Sequence, residues 1–418
     1  MSFQRSQSQK ASEKPTVKLL LYFALIASLL AVTMFLGELN SLAVVALTIP
    51  PVLMIGFSSL FSADINVRAE RELESIRVFK GDTLKVGVKV FSNTSSLIEV
   101  KDSVDPKAKV VKGFPKALIN LKGYADFSYE IKLPARGSYS LGPIVVSASD
   151  PLGLWERVKV MGPATKVVAF PQITGESGIS LRAKYTGVWP GEVLSKHSGG
   201  GTEFYGVREY VYGDELKRIN WRATARLARL ISNDYVEERV TDVLLVVDAG
   251  FKGILEDSEA LELADVEISA AASIAFHLLR TGNRVSLISR GRGRAWLRPG
   301  FGKRQLLAIL YSLSELEIGE PAPMDFAVRM LAPYLLKPNA EIIVISPLLD
   351  SIFAKSLLDL AGEYSLLIVS PNPFPIKGGL AREMLALERD NLIIGLSRAC
   401  RVIDWIPGSP LTRTVKRL

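Results

Sequence analysis

The sequence predicts a multi-domain chain: an N-terminal transmembrane helical hairpin, a β-sandwich, and an α/β domain on a parallel sheet. Three observations carry this. Leu19 to Leu36 and Leu42 to Phe61 are two long apolar runs without a charge. Val67 to Gln172 holds short runs of alternating apolar and polar residues separated by turn residues. From Thr241 onward, buried-type strands alternate with helical patterns, which implies a parallel sheet covered on both faces.

Each segment follows from its composition. Met1 to Val17 is polar, rich in Ser and Gln, and reads as a disordered cytosolic tail. Residues 18–62 form the hairpin, with Gly37 to Asn40 as its short loop and Pro50-Pro51 kinking the second helix. Arg5, Lys10, Lys14 and Lys18 precede the hairpin and Arg68 and Arg71 follow it, whereas the loop carries only Glu38. Basic residues stay on the cytoplasmic side, so the expected location is the cell membrane with both termini cytoplasmic. The β-sandwich covers 63–172, with strands such as Thr83 to Phe91, Phe127 to Leu133 and Pro143 to Ala148. Ile173 to Gly201 is glycine-rich and reads as a linker.

The last part, 202–418, is expected to hold strands at Val243 to Val247, Arg284 to Ser289, Glu341 to Ser346, Tyr364 to Ser370 and Arg401 to Trp405. Helices are expected at Ala260 to Arg280, Lys303 to Glu315, Asp325 to Leu336, Ser351 to Ala361 and Leu380 to Leu396. Ligands of such sheets sit at the carboxyl ends of the strands.

The densest stretch runs from Gly199 to Arg239. Phe204 to Tyr212 has the aromatic and β-branched content of an extended segment, and Gly213-Asp214 then supplies a turn and a helix N-cap. The helix predicted from there places Leu216, Ile219, Ala223, Leu227 and Leu230 on one face and Arg218, Arg222, Arg226 and Arg229 on the other. Trp221 and the apolar face would hold the helix to the α/β domain. The arginines would be either a solvated face paired with Glu237 and Glu238 or a docking surface for an acidic partner.

The composition limits the chemistry. The chain has 51 basic against 43 acidic residues, a net charge of +8 spread without a long basic run, so nucleic acid is not an expected partner. One cysteine, Cys400, excludes an internal disulfide, and two histidines, His197 and His277, leave little room for histidine-based zinc or triad chemistry. Asp248 ends the first strand of the α/β domain. A von Willebrand factor A domain places Asp-x-Ser-x-Ser there, because a carboxylate and two hydroxyls are hard ligands suited to Mg²⁺. Here Gly250 and Lys252 replace the two hydroxyl residues, and Pro347 falls where a later acidic ligand would stand, with Asp350 further on. The metal-site position thus reads as degenerate, no cofactor is expected, and Lys252 or a nearby arginine is expected to neutralise Asp248.

The series Gly201, Glu203, Phe204, Arg208, Tyr210, Gly213, Asp214, Ile219, Asn220, Trp221, Ala225 and Arg226 resembles the signature of the domain of unknown function 58 family. Upstream, Ala135 to Pro143 and Asp150 to Leu154 resemble that family's β-sandwich segment. The resemblance implies an Ig-like sandwich followed by a von Willebrand factor A-like, Rossmann-like domain on a membrane anchor. It implies a non-enzymatic adaptor or scaffold that works beside a MoxR-type AAA+ ATPase in the assembly or maturation of cell-envelope or other complexes. Its partners would be the lipid bilayer, that ATPase and other membrane proteins, with Arg218, Trp221, Arg222 and Arg226 as the partner-binding residues. The alternative is an enzyme or binding protein for a phosphate-bearing or nucleotide ligand, using Asp248, Asp214 and the arginine helix.

Overall fold

A computed structural model describes residues 12–36, 48–56, 67–149, 152–173, 194–238, 242–293, 296–320, 328, 331–332, 334–335, 340–374 and 379–407. It divides into two compact units, Met1–Phe170 and Pro171–Leu418.

The first unit is a nine-stranded sheet around one core. Its strands are β1 (Ser12–Pro15), β2 (Val67–Leu73), β3 (Arg77–Phe79), β4 (Thr83–Val104), β5 (Lys109–Lys112), β6 (Lys116–Lys132), β7 (Gly137–Ser149), β8 (Trp155–Met161) and β9 (Thr165–Phe170). The long strands β4 and β6 pair from Thr83 to Lys101 of β4, with a register break between Ser92 and Ser96. On one side of that break β4 adds β2, and on the other it adds β7. The alternation read from the sequence is the alternation of burial: Leu84, Val86, Val88 and Val90 point inward, with Tyr129 and Ile131 opposite.

Strand β1 departs from the expectation of a disordered tail, since Ser12–Pro15 pairs antiparallel with β8. The Thr16 hydroxyl reaches the carbonyls of Gly153 and Leu154. An edge strand offers unpaired backbone groups to any extended segment beside it, whatever its side chains, and this one takes the chain just ahead of the first helix. Helix α1 (Val17–Leu36) is apolar and outward-facing, with Leu20, Leu21, Phe23 and Leu25 exposed. Among the described residues, no helix is long and apolar enough to cross a membrane. Of the expected second span only the helix at 48–56 is described; the hairpin loop lies outside the described residues.

One buried ion network holds the first unit. Arg71 donates from Nε to Asp102 (2.8 Å), pairs with its other oxygen through Nη2, and donates from Nη1 to the Leu141 carbonyl (2.9 Å). The Tyr129 hydroxyl donates to the same carboxylate at 2.8 Å. Gly142 has a φ of +94°, and a Cβ there would lie 2.3 Å from the Arg71 guanidinium, so both backbone and space demand glycine. In the motif Ala135 to Tyr139, the Tyr139 hydroxyl bridges the backbone N–H and C=O of Ala135.

The second unit opens with a hairpin of β10 (Leu194–Glu209) and β11 (Ile231–Glu238), so 194–201, expected as linker, is strand. The earlier linker, 174–193, lies outside the described residues. Helix α2 (Trp221–Leu227) sits within the hairpin. Then come β12 (Asp242–Asp248), α3 (Asp257–Arg280), β13 (Arg284–Arg290), β14 (Trp296–Gly300), α4 (Gly302–Glu315), β15 (Glu341–Ile345), α5 (Ser351–Glu363), β16 (Ser365–Pro371), α6 (Leu380–Ser397) and β17 (Arg401–Trp405). The sheet order is β14-β13-β12-β15-β16-β17, parallel except for the edge strand β14. Leu244, Val246, Ile342, Val344 and Ile368 line one face against Phe353 and Leu357 of α5. The other face meets α3, which buries Ala264, Ile268, Ala271 and Ala275. Strand β12 has β13 on one side and β15 on the other, so the order reverses there and places a switch point at the end of β12. The expected helix at Asp325 to Leu336 falls mostly outside the described residues, although 328, 331–332 and 334–335 are helical.

Removing Asp102 should strand a guanidinium that is only 6% exposed. Asp102→Ala is expected to lower stability by roughly 3 to 5 kcal/mol in urea unfolding, and Asp102→Leu with Arg71→Met to recover most of it. A loss under about 1 kcal/mol for the single variant would remove the network from its supporting role.

Candidate functional site

The parallel register aligns one polar residue at the carboxyl end of each of five strands. Asp248 lies beside Arg290, and the pairings of Val247 with Ile345 and of Ile345 with Val369 carry the row through Ser346 and Ser370. Ser370 lies beside Asp404. Residues in register on parallel strands point to the same face, so the row is a continuous polar seam beyond the apolar core.

Its centre is Asp248, 3% exposed. One carboxylate oxygen accepts from the Gly250 N–H (3.0 Å) and the other from the Ser346 hydroxyl (2.9 Å). The Arg290 guanidinium stands 3.5 Å from Asp248 and donates to Asp350 (2.8 Å) and to the Gly250 carbonyl (3.1 Å). Asp350 also caps α5, accepting from the N–H groups of Ile352 and Phe353. Burial raises the carboxyl of Asp248 above its ordinary value, although Arg290 and the two hydrogen bonds pull the other way.

Glu267 of α3 lies close by, fully buried, and neither of its carboxylate oxygens has a hydrogen-bond partner among the described residues. Burial first, and then the charge of Asp248, push its carboxyl well above the usual range. A buried carboxylate without a partner is strongly disfavoured, so the fold favours the neutral form of Glu267.

At the other end of the seam, Arg389 of α6 is buried. It donates to the Pro347 carbonyl (3.0 Å), the Ser370 hydroxyl (2.9 Å) and Asp404 (2.6 Å). Pro347 thus serves through its carbonyl at the position where a metal-binding A domain would place an acidic ligand. The following Leu348 has a φ of +56°, sparsely populated for leucine, while its N–H donates to Ser346.

These contacts decide how Mg²⁺ would fit. Gly250 offers no side-chain donor, and Lys252, one of the two expected counter-charges, instead pairs with Glu320 at 2.9 Å. The neutralising group is Arg290, which has taken Asp248 and Asp350 together. The residues present do not fit a divalent cation, since a guanidinium already stands among the oxygens.

The signature segment differs most from its sequence reading. Asp214 caps no helix; its carboxylate is held by two bonds of 2.8 Å from Arg208 and one of 3.0 Å from the Val211 N–H. Arg208, foremost, draws its carboxyl below the usual value. A single 3₁₀ turn at Leu216–Arg218 ends at Ile219, whose backbone is extended, and Asn220 then caps α2 by accepting from the Ala223 N–H (3.0 Å). The Asn220 amide also donates to Asn233 (2.8 Å), so the cap is tied to the hairpin.

The break removes the expected continuous amphipathic face. Only Ile219 is buried, while Trp221 is 66% exposed and Leu216, Leu227 and Leu230 are exposed as well. Trp221 therefore does not hold a helix to the sheet. Arg218 pairs with Glu215 and Arg229 with Glu209, while Arg222 and Arg226 are exposed. The side chains of Glu237 and Glu238 lie outside the described residues.

The second unit is thus a doubly wound α/β domain with a charge-sealed carboxyl edge, preceded by a hairpin that exposes apolar and cationic residues together. Residues 206–372 match the family described as protein of unknown function DUF58. It is 23% identical over 291 residues to the uncharacterized protein YeaD of Bacillus subtilis (strain 168), covering 66% of this chain and 68% of that one. It is 27% identical over 137 residues to the uncharacterized protein Rv1480 of Mycobacterium tuberculosis, covering 32% of this chain and 43% of that one. Among solved structures it resembles a FixG-related protein from Vibrio parahaemolyticus, at 8% identity and a TM-score of 0.19, covering 26% of this chain and 98% of that one. A score so low carries no argument.

Asn220→Ala should cost about 1 to 2 kcal/mol in thermal unfolding through loss of the cap, whereas Trp221→Ala should cost under about 1 kcal/mol. A Trp221 loss of roughly 3 kcal/mol or more would mean that the ring is buried in solution.

Proposed function

We propose that the protein is a membrane-anchored, non-enzymatic adaptor whose second unit, a von Willebrand factor A-like domain, docks a MoxR-type AAA+ ATPase during assembly or maturation of protein complexes. The observation that carries this reading is the exposure of Trp221, Tyr212, Leu216, Leu227 and Leu230 beside the exposed Arg222 and Arg226. Trp, Tyr and Arg are the residues that dominate protein–protein contacts, and exposing several large apolar groups on one segment is costly unless a partner covers them.

The sealed edge supports the non-enzymatic part. Ser346 donates to Asp248, Arg290 to Asp350 and the Gly250 carbonyl, and Arg389 to Ser370 and Asp404, while Asp214 is committed to Arg208. The phosphate-ligand alternative draws no support from this geometry. The strand order, with its reversal at β12, supports the A-like reading of the sheet, and the register break that passes β4 and β6 between two sets of neighbours supports the sandwich reading of the first unit.

The anchor is the transmembrane hairpin at 18–62, with both termini cytoplasmic. It is supported by the outward-facing apolar side chains of α1 and of Ile49, Val52, Leu53 and Met54 in 48–56. A helix apolar on its outer surface needs a non-aqueous neighbour. The Tyr22 hydroxyl stands 3.9 Å from the Met54 sulfur, which brings the start of α1 beside the later helix as an antiparallel pair requires.

Affinity capture from the membrane fraction checks both halves of the proposal. The chain should be recovered from membranes together with a MoxR-type AAA+ ATPase identified by mass spectrometry. Arg222→Glu with Arg226→Glu should capture at least about ten-fold less ATPase, roughly 1.4 kcal/mol, at an unchanged unfolding midpoint. Recovery in the soluble fraction would remove the anchor, and undiminished capture by the double variant would move the docking surface elsewhere.

A further inference from the structure

The carboxyl edge of the sheet holds a feature that the adaptor reading does not use. At the switch point, where α/β sheets place their ligands, four oxygen-bearing groups converge: Asp248, Ser346, Asp350 and the Gly250 carbonyl. A carboxylate pair, a hydroxyl and a carbonyl form the hard donor set that a divalent cation takes. What stands among them is the Arg290 side chain, 5% exposed, its guanidinium bonded to Asp350 and the Gly250 carbonyl and 3.5 Å from Asp248.

We propose that Arg290 is a built-in cation, a covalently attached substitute for a divalent ion, and that Gly250 is glycine because the arginine stem fills the space of a side chain. The second half rests on a separate observation. A Cβ built on Gly250 would lie 2.2 Å from Arg290 Nε and 2.8 Å from its Cδ, well inside any contact that real atoms make. A serine at 250, which would restore a hydroxyl ligand, and an arginine at 290 exclude each other. A hydroxyl at 250 and the Arg290 stem therefore compete for one space.

Phe353 stands beside the guanidinium, with Arg290 Cζ 5.9 Å from its ring centre. Asp350 both receives the arginine and starts α5, so the internal cation ties the ends of β12 and β13 to a helix N-terminus. A diffusible metal could leave such a site; an arginine cannot. The edge then stays closed whatever the cation concentration around the protein, and contact with partners falls to other surfaces.

Thermal unfolding of the full chain with Mn²⁺ as the probe tests this. Wild type should show no rise in midpoint at about 1 mM Mn²⁺, whereas Arg290→Ala should gain a rise of roughly 5 °C that a further Asp248→Asn removes. Gly250→Ala should lower the midpoint of wild type and leave that of Arg290→Ala almost unchanged. A wild-type rise with Mn²⁺ that Asp248→Asn abolishes would overturn the proposal, as would an Arg290→Ala chain that folds and ignores Mn²⁺. If Arg290→Ala does not fold in chelator, Arg290→Ala with Asp248→Asn, which removes both charges, should regain a cooperative transition. A pair that stays unfolded would show that Arg290 is not there to balance Asp248, and would equally overturn it.

Discussion

The contact between Arg290 and the two carboxylates of Asp248 and Asp350 is the constraint on which the second unit depends. Removing an ion from water costs several kcal/mol even after relaxation, so a buried carboxylate at a strand end is tolerable only if the fold supplies compensation. Here the compensation comes from three separate stretches of chain: Arg290 from β13, Ser346 from the end of β15, and the Gly250 amide from the loop after β12. These stretches meet only when the sheet has its observed order. The network therefore ties the switch point to the topology, and Arg389 repeats the device at the other end of the seam, joining Pro347, Ser370 and Asp404.

The consequence is a division of labour along the chain. The position where a doubly wound sheet ordinarily receives its ligand is filled from within, while the hairpin ahead of the sheet leaves Trp221 and two arginines in solvent. The first unit is organised in the same manner, with Arg71 and Asp102 at its centre and Gly142 making room for the guanidinium. In both units a buried arginine requires a glycine beside it, and in both the glycine would look unremarkable without knowledge of what lies against it.

Much of the fold was legible because its cause is local. Period-two alternation gave the inward residues of β4 and β6, and buried runs closed by turn residues gave β12, β13, β15 and β16 within a residue or two. Gly282 at φ +82° ends α3 as a helix C-terminus demands. The signature segment was misread for a physical reason. Leu216, Ile219, Ala223 and Leu227 have helical spacing, but spacing is silent on whether the backbone stays helical between them, and the Asn220 side chain bonds the Ala223 amide and restarts the helix there. Ser12–Pro15 was missed because strand addition at an edge depends on backbone groups that composition does not register. Of the candidate site, Asp248 and its unsuited neighbours were visible. Arg290, Ser346, Ser370 and Asp404 were not, because only the parallel register aligns them, although each is the polar residue that closes or follows an apolar run. Glu267 had a fainter signal, a lone acid on the Ala264, Ile268 and Ala271 face of α3.

The carboxyl edge is a closed charge cluster in which Arg290 balances Asp248 and Asp350 and burial favours the neutral form of Glu267. Unfolding measured against pH, in wild type and Glu267→Gln, tests it most directly. The folded pKa of Glu267 is raised well above its unfolded value of about 4.3, so between those two values the folded chain binds more protons and stability falls as pH rises. Burial moves Asp248 in the same sense. Wild type should therefore lose stability as the pH rises from about 5 through that raised range, and Glu267→Gln, which holds no proton to lose, should show a flatter profile and a higher midpoint at neutral pH. Superimposable profiles for the two chains, or a Glu267→Gln chain that is less stable at every pH, would contradict the account.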